Sequence, residues 1–135
     1  MTLNAALYAK LTGTTAIAAL IDARAYPLLA PTSAAFPRVT FQRISGAPAH
    51  HLRGVSALET VHMQIDAYDD DAAGATALAV QIKTALDMQY GVVWGTVQID
   101  SCSLENEHDL IEPPADASDA GIYHVTLDFE ITYRP

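Results

Sequence analysis

Glu59-Thr60-Val61-His62-Met63-Gln64-Ile65-Asp66-Ala67-Tyr68, followed at once by Asp69-Asp70-Asp71, is the stretch that decides how this chain folds. Val61, Met63, Ile65 and Ala67 alternate with His62, Gln64, Asp66 and Tyr68, and a period of two with one apolar face marks a half-buried strand. Beyond the three acids the period lengthens. Ala75, Leu78, Ala79, Ile82, Ala85 and Leu86 recur at three- and four-residue spacings, the stripe of an amphipathic helix. The acids can cap the free N–H groups at the helix start and sit at the positive end of its dipole, and Gly91 follows closely enough to end it. One acidic corner joins a strand to the helix that covers it.

Outward from this corner, further strands have the same alternation. Arg38 to Ile44 sets Val39 and Phe41 against Arg38, Thr40 and Gln42. Val92 to Leu104 places Val97 and Ile99 on one side and Gln98, Asp100 and Cys102 on the other. Ile122 to Tyr133 is the clearest, with Tyr123, Val125, Leu127, Phe129, Ile131 and Tyr133 on one face. At the N-terminus, Thr2 caps a helix with Leu3, Leu7 and Leu11 on one stripe, and after Gly13 a short turn runs through Ile17, Leu20 and Ile21. The proline-rich segment Ala25 to Pro37 reads as an irregular connection in which Tyr26 to Leu29 can add an edge strand. Ser45 to Ala57 contains Gly46, Pro48, His50, His51, Leu52, Arg53 and Gly54 and reads as a long loop, an arm leaving the domain surface. The order contains no repeated βαβ unit, so the class is α+β: a mainly antiparallel four-stranded sheet with helices packed on one face and the other face polar.

The 135 residues, half of them apolar, suit one domain over 1–135. No run approaches the roughly 18 apolar residues of a membrane span, and the N-terminus lacks the basic-then-apolar build of a signal peptide. The single cysteine, Cys102, excludes an intrachain disulfide framework and a cysteine zinc site, and it fits assembly in a reducing cytoplasm. Sixteen acids against seven Lys and Arg give a formal net charge of −9, so the average surface repels phosphate backbones. The acids concentrate between Asp100 and Asp119. Glu105, Glu107, Asp109 and Glu112 there read either as a solvated connection with its flanks or as an acidic interface for a basic partner.

No set of residues spells out catalysis. Cys102 with His62 or His124 and the acids Asp66, Asp100 and Asp128 gives a thiol-dependent enzyme as one alternative, yet these residues fall out of strand alternation and no nucleophile motif surrounds the cysteine. His50-His51 lacks further spaced ligands, so no metal site is read there. Asp69-Asp70-Asp71 lacks the ligand spacing of a calcium loop, and capping explains it. Phosphate-binding glycine loops are absent, and no cofactor is implied. A small ligand-binding α+β domain is a second alternative. The polar sheet face can simply face water, or in a ring of identical subunits it can line a hole while sheet edges and loops make the contacts between neighbours. Asp66, Asp100, Asp128 and Glu130 are then the lumen-facing acids, which repel DNA and leave it free to pass.

Several stretches, in this order and spacing, resemble one family. They are Met1 to Lys10 with Leu11, Arg24-Ala25-Tyr26-Pro27, Phe36 to Gly46, Val61 to Tyr68 with the alanine-rich helix after it, Asp109-Leu110-Ile111-Glu112, and Gly121 to Tyr133. The chain is similar to the tail completion (tail terminator) proteins of long-tailed phages and of related gene transfer agent particles. The resemblance implies a small α+β subunit that forms a ring, typically a hexamer, at the head-proximal end of the tail tube. There it ends tube polymerisation and docks to the head-tail connector or stopper protein. The implied partners are further copies of itself, the tail tube protein and the connector, with DNA passing through the lumen unbound and no membrane involved. The implied location is the virion neck, after assembly in the host cytoplasm. The family supplies no catalytic residues.

Overall fold

A computed structural model describes residues 1–51, 54–112 and 121–135. Its elements are α1 (Leu3–Gly13), α2 (Thr15–Ile21), β1 (Ala25–Pro27), β2 (Arg38–His51), β3 (Gly54–Asp69), α3 (Ala72–Leu86), β4 (Gln89–Trp94), β5 (Val97–Glu112) and β6 (Ile122–Arg134). The strands form one six-stranded sheet in the order β1-β2-β3-β6-β5-β4. Every pairing is antiparallel except β1 with β2, which is parallel.

The class is α+β, and the four-stranded expectation is corrected to six strands in a mixed sheet. The segment Val92 to Leu104 is not one strand but a hairpin, because Gly95 takes φ +60 and turns the chain back between Trp94 and Val97. At the other edge the strand expected at Tyr26 to Leu29 forms one residue earlier, as Ala25–Pro27, and pairs with Val39 to Phe41 in parallel.

The central strand and helix match the sequence pattern closely. Val61, Met63, Ile65 and Ala67 are buried opposite Ile131, Phe129, Leu127 and Val125, and α3 lays Ala75, Leu78, Ala79, Ile82 and Leu86 into the same core. The Asp71 side chain caps α3 by accepting from the Gly74 N–H at 3.3 Å, and Thr2 caps α1 by accepting from the Ala5 N–H at 3.2 Å. Gly91 does not end α3. The helix stops at Leu86, Met88 takes the left-handed turn at φ 54, and Gly91 lies within β4.

The span Ser45 to Ala57 is also corrected. Ser45 to His51 continues β2 and Gly54 to Ala57 opens β3, so the segment is an extended hairpin and not a loop. Gly46 and Pro48 look like breakers, but β2 loses its β1 neighbour after Phe41 and becomes an edge there, where a missing N–H disrupts no second ladder. Register shifts at Arg43/Ser45 and Pro48/His50 absorb the irregularity.

Helix α1 packs against both β1 and β4, the outer strands of the sheet. The sheet therefore curls around its helix layer, with the apolar face inside the curl and the polar face outside. No helix among the described residues is long and apolar enough to cross a membrane.

Phe129 has no exposed surface and sits in the middle of this core. Phe129→Asp should leave the chain unfolded by circular dichroism, because an unpaired buried carboxylate costs several kcal/mol against a typical stability of about 5–15 kcal/mol. Val80→Asp, on the exposed side of α3, should fold normally.

Candidate functional site

The uncovered face of the sheet is built by the outward positions of β2, β3, β6 and β5. Across β3 and β6 it holds Thr60 opposite Thr132, His62 opposite Glu130, Gln64 opposite Asp128, Asp66 opposite Thr126, and Tyr68 opposite His124. The Thr60 and Thr132 hydroxyls meet at 3.0 Å, and the Tyr68 and His124 rings lie 4.7 Å apart. Burial pushes the Tyr68 hydroxyl pKa up, with the Asp66 carboxylate adding to it.

Asp66 corrects the expectation of a free wall carboxylate. It is only 5% exposed, accepts from the Thr126 hydroxyl at 2.6 Å and from the Gln64 amide at 2.9 Å, and so works as an internal tie between β3 and β6. Alternation placed it on the polar face but could not show that neighbouring side chains close over it. Asp100 is paired with Arg134 at 3.2 Å. Asp128 is partly buried, and its Oδ1 has no hydrogen-bond partner among the described residues. Glu130 reaches toward the His62 Nε2 at 3.8 Å.

Two irregularities in β5 rearrange what sequence alternation assigns to it. The first, between Ile99 and Ser101, inserts Asp100 as an extra residue and reverses the phase of the strand beyond it. Cys102 is thereby turned from the expected polar side into the core, with no exposed surface. Desolvation, reinforced by the Asp87 carboxylate, pushes its thiol up to about 12, the opposite of an activated thiolate. The thiol-enzyme reading loses its geometry, since His62 and His124 lie on the other face.

The second irregularity, between Leu104 and Asn106, is held by the Asp87 carboxylate, which accepts from the Leu104 N–H at 2.8 Å. It places Glu105 where its carboxylate lies 3.1 Å from His62 Nδ1. His62, Glu105 and Glu130, from three adjacent strands, form a cluster that no local spacing announces; only the register brings them together.

The acidic stretch is likewise corrected. Glu105 to Glu112 is not a connection but the second half of β5, paired along its length with β6. Alternation divides its acids between the two faces. Glu107 turns to the helix side and pairs with Lys83 at 3.0 Å, and Asp109 stands beside Ala72, Ala75 and Thr76 of α3. Glu112 lies on the polar face, where it also raises the Tyr68 pKa. Of the arm residues, His50 and His51 belong to β2, paired by backbone with Val55 and Gly54, while Leu52 and Arg53 lie outside the described residues.

The fold is similar to a chain in the solved structure described as "Virion of native gene transfer agent (GTA) particle", with a TM-score of 0.75 and 21% identity over 98% of this chain and 95% of that one. A search of curated protein sequences finds no match. Residues 5–134 match the family described as Tail completion protein gp17, and the chain belongs to that family. It is thus a structural protein of a phage-type tail, and its place is the virion.

Two outcomes test this geometry. Thr126→Val, which keeps the shape but removes the donor to nearly buried Asp66, should lower unfolding stability by about 1–3 kcal/mol in urea titration. The Cys102 thiol, raised in the fold from 9.0 to about 12, contributes stability that is complete below pH about 9 and is lost as pH climbs toward about 12. The urea midpoint should fall between about pH 8 and about pH 10.5, and fall less in Cys102→Ala.

Proposed function

We propose that this protein closes the head-proximal end of a tail tube as a ring of identical subunits, a hexamer, ending tube polymerisation and joining the tail to a head-tail connector or stopper protein. The observation that carries the reading is the family match across residues 5–134. In this reading the whole chain acts as one unit and performs no catalysis.

Three structural features support it. The outer strands carry exposed apolar side chains, Leu28 and Leu29 just after β1 and Met88, Tyr90 and Val93 at β4, as contacts between unlike surfaces of neighbouring copies require. The β2–β3 hairpin extends beyond the six-stranded body and supplies an arm for a neighbour. The polar face carries Asp100, Glu105, Asp128 and Glu130, and a wall of that sign lets DNA pass without holding it.

The test is co-assembly with the tail tube and connector proteins, followed by electron microscopy and mass photometry. Six-membered rings should sit on tube ends, and tubes should stop growing once the protein is added. Failure to join either neighbour would remove the reading. Replacing residues 49–58 by an Asn-Gly turn between Pro48 and Glu59, which pair directly, should leave a folded monomer that no longer assembles, as read by circular dichroism and mass photometry together.

A further inference from the structure

His62, Glu105 and Glu130 have a charge balance that no other basic side chain among the described residues closes. The two carboxylates flank one imidazole, 3.1 Å from Nδ1 and 3.8 Å from Nε2. Neither is within ion-pair distance of a lysine or arginine among the described residues. One imidazole carries at most one positive charge, so the triad is net negative whether or not it is protonated. Asp128, one rung along β6 from Glu130, adds a further carboxylate with a buried, unpartnered oxygen. The region therefore calls for a cation that the basic residues among the described ones do not supply.

We propose that this triad is a binding site for a divalent transition-metal ion of the zinc type. Taking one ligand atom from each residue, all three lie within 4.8 Å of one another. Tetrahedral zinc with bonds of about 2.0–2.1 Å needs its ligands about 3.4 Å apart. The ion therefore takes one ring nitrogen of His62 and the carboxylate at the other nitrogen swings toward it, with movements of up to about 1.4 Å closing the set. The side chains have that freedom, being 39%, 43% and 41% exposed for His62, Glu105 and Glu130. Their backbones are fixed, because His62 and Glu130 are direct cross-strand partners and Glu105 is set by the bulge that Asp87 holds.

The donor set selects the ion. One imidazole nitrogen with two carboxylates suits zinc over magnesium or calcium, which prefer oxygen alone. With a neutral imidazole, two carboxylate charges match a divalent ion, and water fills the remaining position. The bound ion links β3, β6 and β5 on the side of the sheet that no helix supports. The site is a property of the isolated chain and does not depend on ring formation.

The experiment is calorimetric titration of zinc chloride into the chelator-stripped full chain, with thermal melts in parallel. The expected result is one zinc per chain in the micromolar range, a melting temperature that rises with zinc and not with magnesium, and loss of both effects in Glu105→Gln and in Glu130→Gln. Removing a ligand should weaken binding by at least the roughly tenfold that losing an outer-shell partner does. Both substitutions keep side-chain size at part-exposed positions, and circular dichroism confirms that the variants fold. His50→Ala/His51→Ala should bind as the unaltered chain does. Binding only at millimolar zinc, or micromolar binding that survives both glutamine variants, would overturn the proposal.

Discussion

The pairing of β3 with β6 is the constraint on which the other elements rest. It runs from Glu59 opposite Tyr133 to Asp69 opposite Tyr123 with no irregularity. Such a ladder keeps a strict period of two, so Val61, Met63, Ile65 and Ala67 meet Ile131, Phe129, Leu127 and Val125 on one side only. A slip of either strand by one residue would carry its own polar side chains, Gln64 and Asp66 of β3 or Asp128 and Glu130 of β6, into the core and its aliphatic residues into water. The penalty of burying those charges locks the register, and the register then decides which side α3 covers. The polar face is thus a by-product of the same ladder that makes the core.

Legibility in the sequence depends on where that period is unbroken. The strand at Val61 to Ala67, the helix after Asp71, the Thr2 cap and the alternation of Tyr123 to Tyr133 could all be read directly, because each is local. β4 was hidden because Tyr90, Val92 and Val93 run without a break into Val97 and Ile99, and only the conformation of Gly95 reveals the turn. The hairpin beyond Ser45 was hidden because glycine and proline are ordinary loop residues, and what makes them tolerable is the absence of a neighbouring strand. Membership of the tail completion family rests on residues 5–134 taken together and is not encoded in the period of any one segment.

The surface was the least legible part, for a single reason: an inserted residue reverses the sense of everything downstream. Extrapolating alternation through β5 puts Cys102 on the wrong side of the sheet and gives no hint that Glu105 approaches His62. It also treats Glu105 to Glu112 as one acidic surface, when pairing to β6 sends Glu107 to Lys83 and Glu112 toward Tyr68. Asp66 is a different case: alternation puts it on the polar face, but a carboxylate that receives two hydrogen bonds on a crowded face becomes part of the framework. A polar side chain on an uncovered sheet is not necessarily in water.

Helix α1 touches the strands at both margins of the sheet, and this has a mechanical meaning. It acts as a strut across the mouth of the curl. Ala6, with no exposed surface, lies in that strut, and its backbone is among the nearest atoms to Gly95 at the β4–β5 turn. Ala6 leaves no room for a longer side chain in the strut, whereas a side chain at Gly95 would first meet the flexible end of Met1. A bulkier side chain at Ala6 would push α1 off the margins and open the curl, while leaving the central ladder untouched.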